Sequence, residues 1–302
     1  MSIAAVPDAS TQAELEFTRN DPFDHNARIL PVLPALISSR EFMTSIRSFK
    51  VPTDAIAVWY FGQNGFVLKD ESGLLIGIDL YLTNSCAASF AHLPYRLDRQ
   101  LPVFVEPEDL DIDVFFTTHS HDDHCDPETL RRLSKRDQMM FVGPFDSQRR
   151  YREAGLRDCS LIHPGESLSL SDGVVLQAGF ALPTDDTDLN HTGALLSFAN
   201  GIRFYNTGDT AYAPRLAALL PRDVDVCAIC INGGFHNLAA EQAADILCAI
   251  NPKVAIPCHY DMMVNNVGSP GMFRVALENA GSNAVFQQMR YYEPWVYQRS
   301  HD

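Results

Sequence analysis

Short apolar runs with the character of β-strands recur along the chain from residue 56 onward. They are rich in Val, Ile, Phe and Tyr, which are enriched in strands, and polar or glycine-bearing turns separate them. The runs are IAVWYFG, GFVLK, LLIGIDLYL, IDVFFTT, MMFVG, VVLQAGF, GALLSFA, IRFYNTG, VDVCAICI and KVAIPC. Strands therefore dominate this part of the chain, and we expect them to form sheets.

Helices are predicted between several of these runs from the residues at their ends. Asp126 followed by Pro127 is typical of a helix start and predicts a helix in PETLRRLSKR. Asn237 can cap a helix in LAAEQAADILCAI, and another helix is expected in PGMFRVALENAG. Hairpin-like strands followed by alternating strands and helices favour an α/β protein whose sheets carry helices on their outer faces.

The first 50 residues differ from the strand-rich remainder. We predict an irregular arm and then a helix in PVLPALISSREFMTSIRSF that packs on the body of the protein. No linker or low-complexity stretch divides the rest of the chain. The expected organisation is an arm and helix over residues 1–50 and a single catalytic domain over residues 51–302.

Composition indicates a globular protein of the cytoplasm. The chain has 302 residues, of which 46% are hydrophobic and 20% charged, and no stretch approaches the roughly 20 apolar residues that cross a bilayer. The N-terminus has neither the basic start nor the apolar segment of a signal peptide.

Seven cysteines without framework spacing favour a reducing compartment. Cys227 and Cys230 have CxxC spacing, but on a buried strand they would point to opposite faces, so we predict a structural role.

The acidic balance of the chain argues against nucleic acid as a partner. The formal charge is -15, from 23 basic and 38 acidic residues, and no basic run is visible. Such a surface repels a phosphate backbone. We therefore expect a small-molecule substrate, and no nucleic acid or membrane partner.

The chemistry is concentrated where the run IDVFFTT ends in the sequence HSHDDH. His119 and His121, two residues apart, can direct their imidazoles at one cation. Asp123 and His124 follow after the chain has turned and can face a second cation. Imidazole and carboxylate ligands suit Zn²⁺ or Mn²⁺, and Fe²⁺ less well, so one or two divalent ions are the predicted cofactors.

Two cations need more ligands than this loop supplies. Three further candidates lie at the end or the beginning of a strand-like run: His191 in DLNHTGALLSF, Asp209 in IRFYNTGDTAY and His259 in KVAIPCHYD. Each alone is weak evidence. Their joint occurrence in this order is what favours a metal centre.

In that order, these motifs resemble those of the metallo-β-lactamase superfamily, from about residue 56 to about residue 290. Asp79 in GIDLYL is similar to an earlier acidic motif of the same superfamily. The resemblance implies a four-layer αββα sandwich of two mixed β-sheets with helices on the outer faces. It also implies two metal sites, the first formed by His119, His121 and His191, the second by Asp123, His124 and His259, with Asp209 bridging them.

Within the superfamily, the chain resembles the L-ascorbate-6-phosphate lactonase group most closely. The similar stretches include VWYFGQNGFVLK, FVGPFDSQRRYREAG, FYNTGDTAYAP and INGGFHNLAAEQAADILCAINPKVAIPCHYDM. The chain departs from this group at two positions. Leu80 stands where many relatives have proline, and the motif at His191 resembles the broad superfamily more than the lactonases. The resemblance implies a homo-oligomer that hydrolyses a small lactone or ester, such as a sugar-phosphate lactone. Arg96 and Arg99 are the nearest candidates to bind a phosphate.

Water shared by two cations becomes acidic enough to supply hydroxide near neutral pH. Asp123 is the best candidate for proton transfer, because a metal-bound carboxylate keeps one oxygen near that water. His236, in INGGFHN, and Tyr260, beside His259, are candidates to contact the substrate. Asp122 is predicted to orient an imidazole.

Three alternatives to a lactonase remain open from the sequence. A phosphodiesterase or ribonuclease of the same fold would use the same ligands, although the acidic charge disfavours a polyanion. A redox role like that of di-iron members of the superfamily would require a flavin domain, which this chain lacks. A metal-binding protein without turnover is the third.

Overall fold

The computed structural model describes residues 37–299, and its strands form two sheets. In chain order, the strands are β1 (Ala55–Gly62), β2 (Gly65–Lys69), β3 (Leu75–Ile78), β4 (Val114–Phe116), β5 (Met140–Gly143), β6 (Cys159–Leu161), β7 (Ser167–Ser171), β8 (Val174–Phe180), β9 (Thr192–Ser197), β10 (Arg203–Asn206), β11 (Val226–Cys230), β12 (Val254–Cys258), β13 (Val285–Phe286) and β14 (Trp295–Gln298). The α-helices are α1 (Ser39–Ser48), α2 (Ser85–Ser89), α3 (Pro127–Arg132), α4 (Phe145–Glu153), α5 (Ala240–Ile250) and α6 (Pro270–Asn279). Short 3-10 helices lie at Pro107–Asp109, Arg136–Gln138 and Leu216–Ala218.

Each sheet is mixed and has seven strands. In both sheets, neighbouring strands follow each other in the chain, except that β14 lies beside β1. The first runs β14-β1-β2-β3-β4-β5-β6 and the second β13-β12-β11-β10-β9-β8-β7. Pairing is antiparallel from β14 to β3 and from β7 to β10, and it is parallel from β3 to β6 and from β10 to β13. The predicted α/β sandwich of two mixed sheets with helices is therefore confirmed.

The central strands are buried on both faces. Every residue of β1, β2, β3, β4, β11 and β12 is buried. This explains why these strands read as continuous apolar runs rather than as alternating patterns. Outside the sheets, α4 packs on β5 and β6, and α5 packs on β11 and α6. Cys227 and Cys230 are buried in β11, and all cysteines of the described region are free.

Helix α1 begins at Ser39 and packs on the first sheet. Ser38 caps it: its hydroxyl accepts from the Glu41 N–H, and Glu41 bonds back to the Ser38 backbone. Phe42, Met43 and Ile46 are buried against the sheet. The start of the predicted helix, residues 31–36, and the predicted arm lie outside the described residues. The division into an arm and one domain remains a prediction.

The helix starts are correct at one predicted position and wrong at another. Asp126 caps α3 by accepting from the N–H groups of Glu128 and Thr129. Asn237 does not cap α5, because that helix begins only at Ala240 and its N-cap is Ala239. The Ala239 N–H donates to the Gln242 side chain at 2.9 Å. The Asn237 side chain is instead available for a contact outside the helix.

The carboxyl ends of the parallel strands in both sheets lie at one edge of the sandwich. The parallel register of β3 with β4, and of β10 with β11 and β12, places their ends side by side. The segments after these strands carry most of the candidate residues, which is where α/β proteins place their sites. Within residues 37–299, no helix is long and apolar enough to cross a membrane.

Candidate metal centre

The first predicted ligand group assembles around His119, directly after β4. His119 Nε2 lies 2.9 Å from His121 Nδ1, and the rings of His119 and His191 stack with centroids 4.0 Å apart. His191 precedes β9, so it comes from the second sheet. One ligand atom from each of these three residues lies within 4.8 Å of the others.

The second predicted group lies beside the first. His124 Nε2 is 3.2 Å from His259 Nε2, and His259 Nε2 is 3.3 Å from Asp123 Oδ2. These three residues also place ligand atoms within 4.8 Å of one another. His259 directly follows β12 in left-handed backbone, with φ 57°.

Asp209 faces the second group and is within reach of both its histidines. Its Oδ1 lies 3.4 Å from His124 Nε2 and 3.3 Å from His259 Nε2. Its Oδ2 accepts from Asn237 Nδ2 at 2.6 Å. Asn237 therefore fixes the carboxylate so that Oδ1 is directed at the cluster.

The donor atoms of the cluster fit divalent cations. His191 Nδ1 contacts the Asp209 carbonyl at 3.1 Å, which leaves Nε2 facing the cluster. That Nε2 and Asp209 Oδ1 are buried and have no hydrogen-bond partner among the described residues. Buried polar atoms without partners are costly, so their convergence here indicates a ligand. Nitrogen and oxygen donors in this mixture suit Zn²⁺, Mn²⁺ or Fe²⁺.

Asp79 orients His124 rather than serving as a free ligand. Its carboxylate lies close enough to His119 and His124 to form a third ligand group. Both of its oxygens, however, already accept hydrogen bonds. Its Oδ2 is 2.7 Å from His124 Nδ1 and also accepts from Asn64 Nδ2 and Thr118 Oγ1, while its Oδ1 accepts from the Thr118 N–H. A carboxylate on the far nitrogen of a ligand imidazole fixes its tautomer and increases its basicity.

The protonation of the cluster depends on burial and on the mixture of charges. Burial, reinforced by the neighbouring His191, lowers the pKa of His119 well below its ordinary value. Burial also lowers the pKa of His191. Both imidazoles are therefore neutral, with a lone pair available.

His124 differs because it lies among carboxylates. Burial acts to lower its pKa, but Asp209, Asp123 and Asp79 outweigh burial and raise it well above its ordinary value. The pKa values of Asp123 and Asp209 are lowered despite their burial, because His124 and His259 stabilise the ionised forms. The cluster thus holds concentrated negative charge, which a divalent cation would neutralise.

The structure places one of the three predicted catalytic residues at a cavity. Asp123 lines a cavity of about 440 Å³ above the cluster. His236 is exposed and does not line it, because its Nδ1 is 2.7 Å from the Thr184 carbonyl in a neighbouring loop. Tyr260 does not line it either, since its buried ring packs against Tyr60 and Tyr291. The geometry therefore gives no support for substrate contacts by His236 or Tyr260.

The geometry gives no support for the roles expected of Asp122, Arg96 and Arg99. Asp122 pairs with Arg150 at 2.7 Å and orients no imidazole in the described structure. Arg99 donates to the Leu101 and Tyr81 carbonyls. Arg96 is exposed and pairs with Asp98. Among the described residues, Arg150 is the only Lys or Arg that lines the cavity.

Several residues that support the cluster were not predicted. Gln63 donates to Asp123 Oδ2 at 2.6 Å and lies 3.2 Å from His259 Nε2. Asp185 lies 3.3 Å from His121 Nε2, and Asp188 accepts from the Ser120 N–H at 2.7 Å. All are common turn residues, and only the motif QNG after a strand distinguishes any of them in the sequence.

Both polar and apolar side chains line the cavity. Its polar lining consists of Ser89, His121, Asp122, Asp123, Arg150, Thr184, Asp185, Thr187, Asp209, Asn237 and Asn266. Its other lining residues are Cys86, Phe90, Tyr95, Leu97 and Phe235. The ligand groups lie at the base of this cavity, because His121 of the first group and Asp123 of the second also line it.

Similar proteins share this fold. A "UPF0173 metal-dependent hydrolase" from Thermoplasma acidophilum is 26% identical over 187 residues, 61% of this chain and 82% of the relative. Igni18, described as a novel metallo hydrolase from Ignicoccus hospitalis, has a TM-score of 0.64 and 21% identity, covering 82% of this chain and 100% of its own. An isothiocyanate hydrolase from Delia radicum gut bacteria has a TM-score of 0.62 and 16% identity, covering 80% and 100%. At these identities, the two solved structures show the fold alone.

The family match is more specific than these likenesses. Residues 57–259 match the family Lactamase_B_3, described as a beta-lactamase superfamily domain. The matched range begins in β1 and ends at His259, so it includes both predicted ligand groups. The predicted superfamily is confirmed, whereas the resemblance to the L-ascorbate-6-phosphate lactonases remains a prediction. Because the match covers more than half of the chain, this protein belongs to the Lactamase_B_3 family of the beta-lactamase superfamily.

Proposed function

We propose that this protein is a metal-dependent hydrolase that opens a small lactone or ester. The observation that carries the proposal is the position of the two ligand groups, side by side at the base of a cavity of about 440 Å³. A cavity of this volume accommodates a small molecule. The relatives described as metal-dependent hydrolases support the same class of reaction.

The proposed reaction assigns a role to each ligand group. The groups His119–His121–His191 and Asp123–His124–His259, with Asp209 between them, would hold two divalent cations. When bound, such cations would supply an acidified water and a Lewis acid for the bond under attack. Zn²⁺ and Mn²⁺ are the metals we propose.

Asp123 is the proposed site of proton transfer. It is ionised, it lines the cavity, and Gln63 holds its Oδ2 at 2.6 Å. Its second oxygen can therefore accept a proton from the attacking water and return it to the leaving oxygen. Asp185 and Thr187 lie within 3.3 Å of His121 Nε2 and keep that ring at the base of the cavity.

The lining favours a substrate without a phosphate group. The only Lys or Arg among the described lining residues is Arg150, which is already paired with Asp122. A phosphate group that is not itself under attack, as in a sugar-phosphate lactone, would find no unpaired Lys or Arg among the described lining residues. We therefore propose an uncharged lactone or ester. The predicted homo-oligomer and cytoplasmic location remain predictions.

The test is a hydrolysis assay with the full chain loaded with Zn²⁺ or Mn²⁺. Lactones, carboxylic esters and bis-p-nitrophenyl phosphate would be compared at equal metal loading. We expect lactone or ester hydrolysis, and a loss of about 100-fold or more in kcat/KM in His121→Ala. His163→Ala, a turn histidine outside the cavity, is the matched control and should retain activity. Preference for the phosphodiester, or full activity in His121→Ala, would contradict the proposal.

A further inference from the structure

Part of the cavity lining is apolar, although the cavity also borders the charged cluster. We call this the apolar wall, and it consists of Phe90, Tyr95, Leu97 and Phe235. The rings of Tyr95 and Phe235 contact each other edge to face, with centroids 5.2 Å apart. They come from segments 140 residues apart in sequence, which the fold brings to the same opening. The fold, rather than a local sequence motif, therefore brings these apolar side chains together.

Phe235 is held at the wall at a cost in free energy. Its side chain is 42% exposed, and its backbone is left-handed, with φ 53°. The next residue, His236, is also left-handed, with φ 63°. A bulky residue in this conformation is strained, and an exposed phenyl ring gains little from folding. Strain combined with exposure at a cavity indicates a functional constraint.

The turn that carries Phe235 is fixed on both sides. The Gly233 N–H donates to the Leu238 carbonyl at 3.0 Å, and the Asn237 N–H donates to the Gly234 carbonyl at 2.9 Å. His236 Nδ1 contacts the Thr184 carbonyl of the opposite loop at 2.7 Å. His236 therefore anchors the turn, and Phe235 is the residue that the turn presents to the cavity.

Charge in the rest of the cavity argues against an anionic substrate group. The lining contains the carboxylates of Asp122, Asp123, Asp185 and Asp209. Arg150 is paired with Asp122 at 2.7 Å and cannot compensate the others. Two divalent cations at the base would offset the three remaining carboxylates, but no Lys and no unpaired Arg of the described lining is left to bind an anionic group. An uncharged molecule meets no such penalty.

We propose that the apolar wall is a subsite for the hydrocarbon part of an uncharged ester or lactone, whose carbonyl faces the ligand groups. This rests on the proposed function and narrows its substrate class. The reaction is a hydrolysis: water adds to the carbonyl carbon, the bond from that carbon to the alkoxy oxygen breaks, and the alkoxy oxygen takes the proton. The products are a carboxylic acid and an alcohol, so no oxidant or reductant is required.

The first test measures kcat/KM for p-nitrophenyl esters from acetate to octanoate with the metal-loaded full chain. Each added methylene that enters the subsite should raise kcat/KM about threefold to fourfold, until the cavity is filled. In Phe235→Ala and Tyr95→Ala, the octanoate-to-acetate ratio should fall at least about tenfold. Phe145→Ala is the matched control, because Phe145 is 54% exposed and does not line the cavity, and it should keep the parental ratio.

A second test does not depend on turnover. Binding of 1-butanol, 1-hexanol and 1-octanol to the same protein would be measured by calorimetry, and Kd should fall about threefold to fourfold per methylene in the parent but not in Phe235→Ala. If no ester or lactone is hydrolysed but this binding series is found, the subsite stands and the proposed function fails. Ester hydrolysis without dependence on chain length, or preference for a hemisuccinate ester over the butyrate, would overturn the subsite.

Discussion

The carboxylate of Asp79 illustrates how single residues prepare the centre. It lies just beyond β3 in left-handed backbone, φ 46°, and is fully buried. Thr118, Asn64 and His124 all donate to it. The carboxylate therefore joins the ends of two strands to one ligand imidazole. Its contribution is to position His124 rather than to take part in the reaction.

The substitution Asp79→Asn tests this positioning. Asn tolerates left-handed backbone, so the main chain is not strained by the change. Its amide nitrogen cannot accept from the donors that surround it, so the His124 ring loses its orientation. We expect Zn²⁺ affinity to fall about 10-fold to 100-fold, as measured by competition with a chromophoric chelator. Asp172→Asn, at an exposed turn, is the control, and equal affinity in Asp79→Asn and the parent would show that Asp79 does not position the ligand.

At the residue scale, the sequence revealed the candidate ligands but not their supports. Histidines and aspartates crowded into HSHDDH are difficult to explain other than by a metal, so the loop could be identified directly. Gln63 and Asn237 could not, because their partners Asp123 and Asp209 lie 60 and 28 residues away. Asn237 also precedes a helix, where a cap is the usual role of asparagine, and only the fold shows it holding Asp209 instead.

At the scale of elements, the strands that were missed are the outer ones. The apolar runs predicted the inner strands closely, such as β1, found at Ala55–Gly62, and β11, found at Val226–Cys230. The four strands without a predicted run, β6, β7, β13 and β14, are the edges of the two sheets. Their residues are mostly half-buried or exposed. An edge strand covered on one side only has no continuous apolar run to reveal it.

One buried lysine adds polar contacts to the apolar packing of helix α1 on the first sheet. Lys69, at the end of β2, is 4% exposed, and its Nζ donates to the carbonyls of Ile46, Arg47 and Phe49. These carbonyls lie at the C-terminal end of α1, where helix carbonyls run out of donors within the helix, although the Ile46 carbonyl also accepts from the Phe49 N–H. The ammonium group also complements the negative end of the helix dipole. The contact thus fixes the N-terminal helix on the body of the protein.

Lys69→Met should weaken this attachment. The substitution keeps most of the side-chain volume but removes the ammonium group that donates to all three carbonyls. We expect the free energy of unfolding to fall by about 2 to 4 kcal/mol in denaturant titrations at fixed metal concentration. Lys50→Met, at an exposed lysine after the same helix, should change it by less than about 0.5 kcal/mol. A similar small change in both variants would mean that Lys69 is not the attachment.

At the scale of the whole molecule, the centre joins the two sheets. The loop after β4 in the first sheet supplies His119, His121, Asp123 and His124. The second sheet supplies His191 before β9, Asp209 after β10 and His259 after β12. This convergence could be expected from the order of the motifs, because the family resemblance supplied the fold. Periodicity alone could not show which ends meet, since pairing of the sheets depends on contacts far apart in sequence.

Bound metal should therefore stabilise the entire fold. A ligand that binds only the native state at about 100 times its Kd adds about 2.7 kcal/mol. For a protein of this size, the melting temperature should rise by about 5 to 10 °C in scanning calorimetry when Zn²⁺ is added to chelator-treated protein. Ca²⁺ at the same concentration is the control, because its preference for oxygen ligands makes it a poor match for imidazoles. An unchanged melting temperature with Zn²⁺ would argue against a preformed site across the sheets.

The most direct measurement of the central claim is the metal content per chain in the parent and in His191→Ala. Purified protein would be loaded with Zn²⁺, freed of excess metal and analysed by plasma mass spectrometry. If His119, His121 and His191 hold one ion and Asp123, His124 and His259 hold another, the parent should contain about two Zn²⁺ per chain and the variant about one. A parent that retains no metal, or a variant that retains as much as the parent, would contradict the account.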